Sequence, residues 1–420
     1  MSDLANVMLE RGRRARAAAQ GLAMLGSAIR TRGVLAMAEA LREGAGAILE
    51  INRDDVNAAK ARGLDPAMLD RLALDPARME QMVDAITAIA AIPDPVGTEL
   101  ARWTRPNGLD IARVRTPIGV LAVISESRPN VTADAAALAI RSGNAVILRG
   151  GSECLATNLA IHDRLSQGLT SAGISADAVQ LIEVADRDAV GLILGGLDGA
   201  VDLIIPRGGR SLVERIKSEA RAPVLGHLEG VNHVYVHADA DPAMARAVVL
   251  NAKMRRVSVC GAAETLLIDR SAPPSLLQAI AADLTAAGCE LRADDEAREI
   301  LPDASTAEEA DWSTEYLRPI LAVRTVAGLD GALEHIRRHG TGHTEAVVAS
   351  DPQVLERFLN AVDAGIVMAN TSTQFADGGE FGFGGEIGIS TDRLHARGPV
   401  GAEQLTTFKY LVRGTGQIRP

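Results

Sequence analysis

Val146-Ile147-Leu148-Arg149-Gly150-Gly151-Ser152-Glu153 reads as an apolar run of strand length, a Gly-Gly turn and the opening of a helix, and Ile204-Ile205-Pro206-Arg207-Gly208-Gly209-Arg210-Ser211 repeats that design. An apolar run without polar alternation belongs to a strand buried on both faces. Outward from these stretches the alternation persists. Strands at 119–124, 145–148, 179–184 and 201–205 are separated by helical patterns at 132–142, 153–171, 187–196 and 210–220, and strands near Val224 and Val234 and a helix over 242–254 continue the series. A second series has strands at 265–268, 320–326, 346–348 and 366–369 with helices at 275–287, 330–338 and 352–363. This order predicts mostly parallel sheets covered by helices on both faces, hence an α/β protein of two domains. Ligands are expected at the carboxyl ends of the strands, and the active site in a cleft between the domains.

The flanks read differently. Residues 1–98 are helical text broken at Asp65-Pro66, Asp75-Pro76 and Pro93-Asp94-Pro95, and 100–117 reads as two strands around Pro106-Asn107-Gly108. The tail 406–412 is β-prone, and an exposed terminal strand needs a partner, which predicts oligomer contacts.

Composition removes several classes of function. Lys and Arg total 43 against 54 Asp and Glu, a net charge of −11, so duplex nucleic acid and anionic membranes are poor partners. Only 2% of residues are aromatic, too few to tile a base-stacking surface. The most apolar long stretch, 189–206, carries Asp198 and Asp202, which excludes it as a membrane span. The N-terminal twenty residues lack an apolar signal core and include Asp3 and Glu10, so a cytoplasmic protein is expected. Cys154, Cys260 and Cys289 are too widely spaced for a zinc motif or a disulfide framework.

Cys260 ends the run Lys253-Met254-Arg255-Arg256-Val257-Ser258-Val259-Cys260, and nearby cations favour the nucleophilic thiolate. The competing reading is a small buried hydrophobe. For Cys154 and Cys289 that reading prevails. The two Gly-Gly turns, each with an arginine, offer backbone N–H groups, a helix dipole and charge to a phosphate-bearing cofactor, although either alone can be a tight connection. His335, His339, His343 and Glu345 straddle a helix end at Gly340, so no metal site is expected there. Gly378-Gly379-Glu380-Phe381-Gly382-Phe383-Gly384-Gly385 is either a ligand-approaching loop or a flexible surface loop.

Four ordered motifs together resemble the gamma-glutamyl phosphate reductases, a family of the aldehyde dehydrogenase-like superfamily, over nearly the whole chain. They are Ile124-Ser125-Glu126-Ser127-Arg128-Pro129-Asn130-Val131-Thr132, Cys260-Gly261-Ala262-Ala263-Glu264-Thr265, the stretch from His335 through Gly342-His343-Thr344-Glu345-Ala346, and Phe375-Ala376-Asp377-Gly378-Gly379-Glu380-Phe381-Gly382-Phe383-Gly384. Leu394-His395-Ala396-Arg397-Gly398-Pro399 also fits. The family pattern has tyrosine at the place of Ser125 and asparagine at that of Gly261.

The resemblance implies NADPH-dependent reduction of L-glutamyl 5-phosphate to L-glutamate 5-semialdehyde and phosphate, in proline biosynthesis. It assigns Cys260 as nucleophile, with Ser127 or Asn130 and the Cys260 N–H steadying the oxyanion. It places Arg149, Gly150 and Ser152 on the cofactor ribose and Arg207, Gly208 and Gly209 on its phosphates. Arg255 and Arg256 either hold the substrate phosphate or pair with carboxylates on a solvated face, and Glu345 and Asn370 are candidate substrate contacts by position. His227 falls where hydrolytic relatives carry a general-base glutamate, a group a reductase does not need, and its competing reading is a satisfied structural histidine. It further implies a Rossmann-type NADPH domain over 1–99 and 118–254, a catalytic domain over 255–385, oligomerisation strands at 100–117 and 405–420, and a return segment at 386–404. A homo-oligomer and a transient contact with glutamate kinase follow as expectations. The competing activity is another cysteine-dependent acyl phosphate or acyl-CoA reductase of the superfamily.

Overall fold

The apolar runs on either side of residue 130 become neighbouring strands. In the computed structural model, which describes residues 3–184 and 186–419, the chain divides into two compact units. The first comprises the chain through Gly226, Gly382–Gly388 and the segment from Val400 onward, and the second comprises His227–Phe381 and Ile389–Pro399.

In the first unit β1 (Glu99–Thr104) and β2 (Asp110–Pro117) form an antiparallel hairpin. Then β3 (Val120–Ser125), β4 (Ala145–Arg149), β5 (Val179–Leu181) and β6 (Leu203–Arg207) build a parallel sheet in the order β5-β4-β3-β6. Every residue of β3 is buried, as a central parallel strand requires. Val120, Ala122 and Ile124 meet Met8, Ala15 and Ala19 of the first helix, Asp3–Ala23. Helix Pro76–Ala91 opens with proline in its first turn, and the Asp75 carboxylate accepts the Arg78 N–H.

In the second unit β7 (Asn232–Val236), β8 (Ala263–Asp269), β9 (Glu290–Ala293), β10 (Ser305–Thr306), β11 (Ile320–Val326), β12 (Thr344–Val348) and β13 (Ile366–Ala369) form one parallel sheet, ordered β10-β9-β11-β8-β7-β12-β13. Alternation along the strands divides its core: Val234, Leu266 and Ala346 face one cluster, while Tyr235, Leu267 and Val347 face the other. A two-stranded antiparallel pair, β14 (Ile389–Ser390) and β15 (Gly398–Pro399), completes this unit. The chain then re-enters the first unit and ends in β16 (Thr406–Arg413).

Two expected unit boundaries need correction. The strand at Val234 and the helix over 242–254 belong to the second unit, so the boundary lies at Gly226/His227 and not after 254. The physical reason is pairing: β7 hydrogen-bonds between β8 and β12. The segment 386–404 is divided, with Ile389–Pro399 in the second unit, while within the first the Ile387 N–H donates to the Val400 carbonyl and the Val400 N–H to the Gly388 carbonyl. The terminal strand finds a partner inside its own chain, since β16 pairs with β2 from Thr406↔Pro117 to Arg413↔Asp110. Among the described residues no helix is long and apolar enough to cross a membrane.

Candidate active site

Cys260 lies in the turn between helix Pro242–Met254 and β8. Two amide side chains shape that turn. Gln374 Nε2 donates to the carbonyls of Ala252 (2.9 Å) and Arg256 (3.3 Å), satisfying groups that a helix end leaves over. Asn232, buried at the start of β7, donates through Nδ2 to the carbonyls of Cys260 (2.6 Å) and Ala262 (2.8 Å), and its Oδ1 accepts the Thr344 N–H at 3.1 Å. One amide therefore ties the cysteine turn to the backbone beside His343. The segment before β7 crosses so close that a Cβ on Gly230 would stand 2.1 Å from the Cys260 carbonyl oxygen, so only glycine fits there.

His227 and His343 flank the thiol: one ring nitrogen of each and the Cys260 sulfur all lie within 4.8 Å of one another. The rings meet edge to face at 4.8 Å. His227 Nδ1 is 2.7 Å from the Ile389 carbonyl, which can only accept, so this nitrogen carries a proton and Nε2 keeps a lone pair in the neutral ring. His343 Nδ1 is 2.8 Å from Thr344 Oγ1, and its buried Nε2 has no hydrogen-bond partner among the described residues. Glu315 accepts the Gly230 N–H at 3.1 Å, and burial raises its carboxyl pKa above the ordinary value.

The basic run before the cysteine resolves into unequal parts. Lys253 is fully buried and paired with the equally buried Glu264 at 2.5 Å, so its charge is spent locally. Burial pushes the Glu264 carboxyl up against the attraction of Lys253. Arg255 and Arg256 are exposed. Burial pushes the Cys154 thiol up to about 12 and that of Cys289 to about 11, leaving both protonated at neutral pH, whereas Cys260 is half-buried.

The predicted cofactor residues sit at the carboxyl ends of β4 and β6 in the first unit. Arg149 ends β4, Ser152 opens the turn Ser152–Cys154, and Arg207 ends β6. Gly208 follows, and Gly209 caps helix Arg210–Glu219 and donates its N–H to Glu126 Oε1 at 2.9 Å. That helix start therefore already holds an anionic oxygen. In the same unit Ser127 Oγ donates to Glu153 Oε2 at 2.6 Å, and Asn130 Nδ2 donates to Asp134 Oδ2 at 3.1 Å.

The sequence model of the aldehyde dehydrogenase family matches residues 12–298 and 300–410. The chain is 63% identical over 418 residues to a gamma-glutamyl phosphate reductase of Caulobacter sp. (strain K31), covering 100% of each chain. The crystal structure of gamma-glutamyl phosphate reductase from Thermotoga maritima superposes with a TM-score of 0.95 at 41% identity, covering 98% of this chain and 100% of that one. The chain belongs to the aldehyde dehydrogenase family, among its gamma-glutamyl phosphate reductases. Enzymes of the aldehyde dehydrogenase family are oxidoreductases that use NAD(P). An engineered glycolyl-CoA reductase with bound NADP+ shares the fold at 15% identity, with a TM-score of 0.69 over 97% of this chain and 96% of that one.

Within this family member, two expected substrate contacts are structural. Glu345 is fully buried on β12 and accepts from the His233 backbone (2.9 Å) and ring (2.8 Å). Asn370, held at a left-handed φ of 55°, spends both ends of its amide on the Ala349 backbone at 3.0 Å. The histidine grouping read from the chain also divides. The His335 and His339 rings lie 4.6 Å apart, tilted by 36°, beside Trp312, whereas His343 lies beside Cys260. In the Gly-rich loop, the 382–388 half packs on helix Pro76–Ala91, where a Cβ on Gly384 would fall 2.7 Å from Ile92. Sequence reading missed Asn232, Gln374 and the pairing of His343 with Cys260. Asn232 was legible only as polarity at a strand start, and nothing local announced the other two.

Proposed function

We propose that this chain reduces L-glutamyl 5-phosphate to L-glutamate 5-semialdehyde and phosphate with NADPH, through a thioester on Cys260, as a cytoplasmic step of proline biosynthesis. One observation carries the reading: the half-buried Cys260 thiol stands beside two histidine nitrogens and in a turn clamped by Asn232. The 63% identity to the Caulobacter enzyme supports the choice of substrate.

A carboxylate resists reduction, whereas an acyl phosphate brings a leaving group. The Cys260 proton passes to His343 or His227, the thiolate attacks the acyl carbon, and the C–O bond to phosphate breaks. The thioester that remains is still electrophilic. NADPH, when bound, supplies the hydride for the reduction. The C–S bond of the resulting hemithioacetal then breaks, the aldehyde leaves, and the histidine returns the proton to the sulfur. No water is activated, in keeping with histidine instead of a general-base glutamate at 227.

The oxyanion needs fixed donors, which the Cys260 N–H and one side chain supply. Asn130 suits this better than Ser127, because its amide has a second N–H whereas the single Ser127 O–H is donated to Glu153. The cofactor residues fit a phosphate-bearing group. Arg149, Gly150 and Ser152 serve its ribose side, where arginine suits a 2′-phosphate, and Arg207, Gly208 and Gly209 serve its phosphates, at a helix start that already accepts the Glu126 carboxylate. Arg255 and Arg256, exposed near the cysteine turn, serve the substrate phosphate. The domains serve as NADPH-binding and catalytic parts, and strands 100–117 and 405–420 serve a homo-oligomer, through the outer edge of β16. A transient contact with glutamate kinase would deliver the unstable substrate.

The test is phosphate-dependent reduction of NADP by purified protein given glutamate semialdehyde, with NAD and CoA as alternative partners. Turnover that requires phosphate and prefers NADP supports the reading. Turnover only with CoA replaces it with an acyl-CoA reductase.

A further inference from the structure

The geometry points to a second use of the Cys260 turn: His227, Cys260 and His343 form a binding site for a soft divalent metal, Zn2+ above all, whose occupation silences the nucleophile. The inference rests on the reading of Cys260 as that nucleophile for its regulatory consequence, and on coordination chemistry alone for the binding.

Three features support it. The donor set is two imidazole nitrogens and one thiolate sulfur, which suits zinc and not magnesium or calcium. All three donors come from one compact unit and lie within 4.8 Å of one another. Tetrahedral zinc, with bonds of about 2.0–2.3 Å, holds its ligands about 3.5 Å apart, a closure of roughly 1 Å that the half-buried His227 and Cys260 side chains can make by torsion. The third feature is the surroundings of the rings. His227 Nδ1 is anchored on the Ile389 carbonyl at 2.7 Å and His343 Nδ1 on Thr344 Oγ1 at 2.8 Å. Metal-binding histidines are held in this way, with one ring nitrogen fixed by a neighbour that orients the ring. The Nε2 of His343 is fully buried and lacks a partner among the described residues, although a buried polar atom normally has one.

Binding replaces the thiol proton: the S–H bond breaks, the sulfur–zinc bond forms and the proton goes to solvent, with no change of oxidation state. Three protein ligands leave a fourth position for water or a phosphate oxygen. A zinc-bound sulfur cannot attack the acyl phosphate, so the metal and the substrate compete for one atom.

The experiment uses the full-length, reduced, chelator-treated protein. Co2+ is added as a visible probe and is then displaced by Zn2+, with calorimetry giving the stoichiometry. The expected result is a thiolate-to-cobalt charge-transfer band, one metal per chain, loss of the band in Cys260→Ser, and at least about tenfold weaker zinc binding in His227→Gln and His343→Gln. Because His343 is buried, His227→Gln provides the arm in which folding is not at issue. No band in the wild type, a band that survives Cys260→Ser, or zinc affinity unchanged in folded His227→Gln overturns the site. Failure of acyl phosphate turnover with the band intact would remove the assigned reaction and leave the metal site standing; turnover without the band would do the reverse.

Discussion

The second unit holds two histidine clusters that differ in almost everything except composition. His227 and His343 stand around the half-buried Cys260, one ring nitrogen of each within 4.8 Å of the sulfur, and each has its Nδ1 fixed by a neighbour. His233, His335 and His339 are buried with Glu345, Trp312 and Arg324, and their contacts are internal: His233 to Glu345 at 2.8 Å, Arg324 to His335 at 3.0 Å, His339 to Ser313 at 3.1 Å. Burial and neighbouring charges drive the pKa of His335 down to about 2, beyond any working pH. The difference teaches that residue type does not make a site: imidazoles packed against one another and an interior carboxylate support the fold, although His233 Nε2 and His335 Nε2 lack a hydrogen-bond partner among the described residues, whereas an imidazole beside a thiol can move a proton.

The most direct way to break this comparison is Cys260→Ser. Turnover should fall by about 10⁴-fold or more, since an unactivated hydroxyl neither attacks nor leaves as a thiolate does. Initial rates of NADP reduction check it, and wild-type-like rates would place the chemistry elsewhere. Next comes Asn232→Ala, which removes the clamp on the cysteine turn and leaves buried carbonyls unpaired. The expected loss is about 1–3 kcal/mol of stability by denaturant titration, together with a fall in kcat of about tenfold or more at little change in KM. A stability loss with kcat intact would show that the clamp holds the fold and not the thiol.

His335→Gln tests the other cluster through pH. In the unfolded chain His335 takes up a proton below its ordinary value of 6.5, while in the folded chain it stays neutral down to about 2. The unfolded state therefore binds more protons across that interval, and wild-type stability falls as pH drops below 6.5, by at most about 2 kcal/mol at pH 5. The variant should show a flatter acid limb in melts between pH 7 and 5 and an unchanged rate at neutral pH. An identical limb would mean that His335 titrates normally. The smallest effect belongs to Glu126→Gln. The Glu126 carboxylate occupies the Gly209 N–H, so removing its charge should tighten NADPH by about three- to fivefold in fluorescence titration. Weaker binding would show that Glu126 helps to hold the cofactor.

Much of this molecule was legible because its signals are local. The unbroken apolar runs at 120–125 and 145–149, the Gly-Gly turns after Arg149 and Arg207, and the hairpin around Pro106-Asn107-Gly108 each declare themselves within ten residues, and the structure has the parallel strands and the hairpin they predict. Cys260 stood out through its neighbours, although the reason changed: Lys253 is neutralised by Glu264, and the groups around the sulfur are histidines distant in the chain.

The sequence by itself determined the alternation of strands and helices, the parallel sheets and the candidate cysteine, because periodicity and turn chemistry act between near neighbours. Tertiary structure alone decided that Asn232–Val236 joins the seven-stranded sheet, that Glu345 and Asn370 brace backbone and ring nitrogens, and that His343 meets Cys260 instead of His339. The physical reason is that strand pairing and side-chain partnership are settled by which surfaces bury each other. The Glu345 carboxylate finds the His233 amide 112 residues away, across a strand pair that no local pattern specifies.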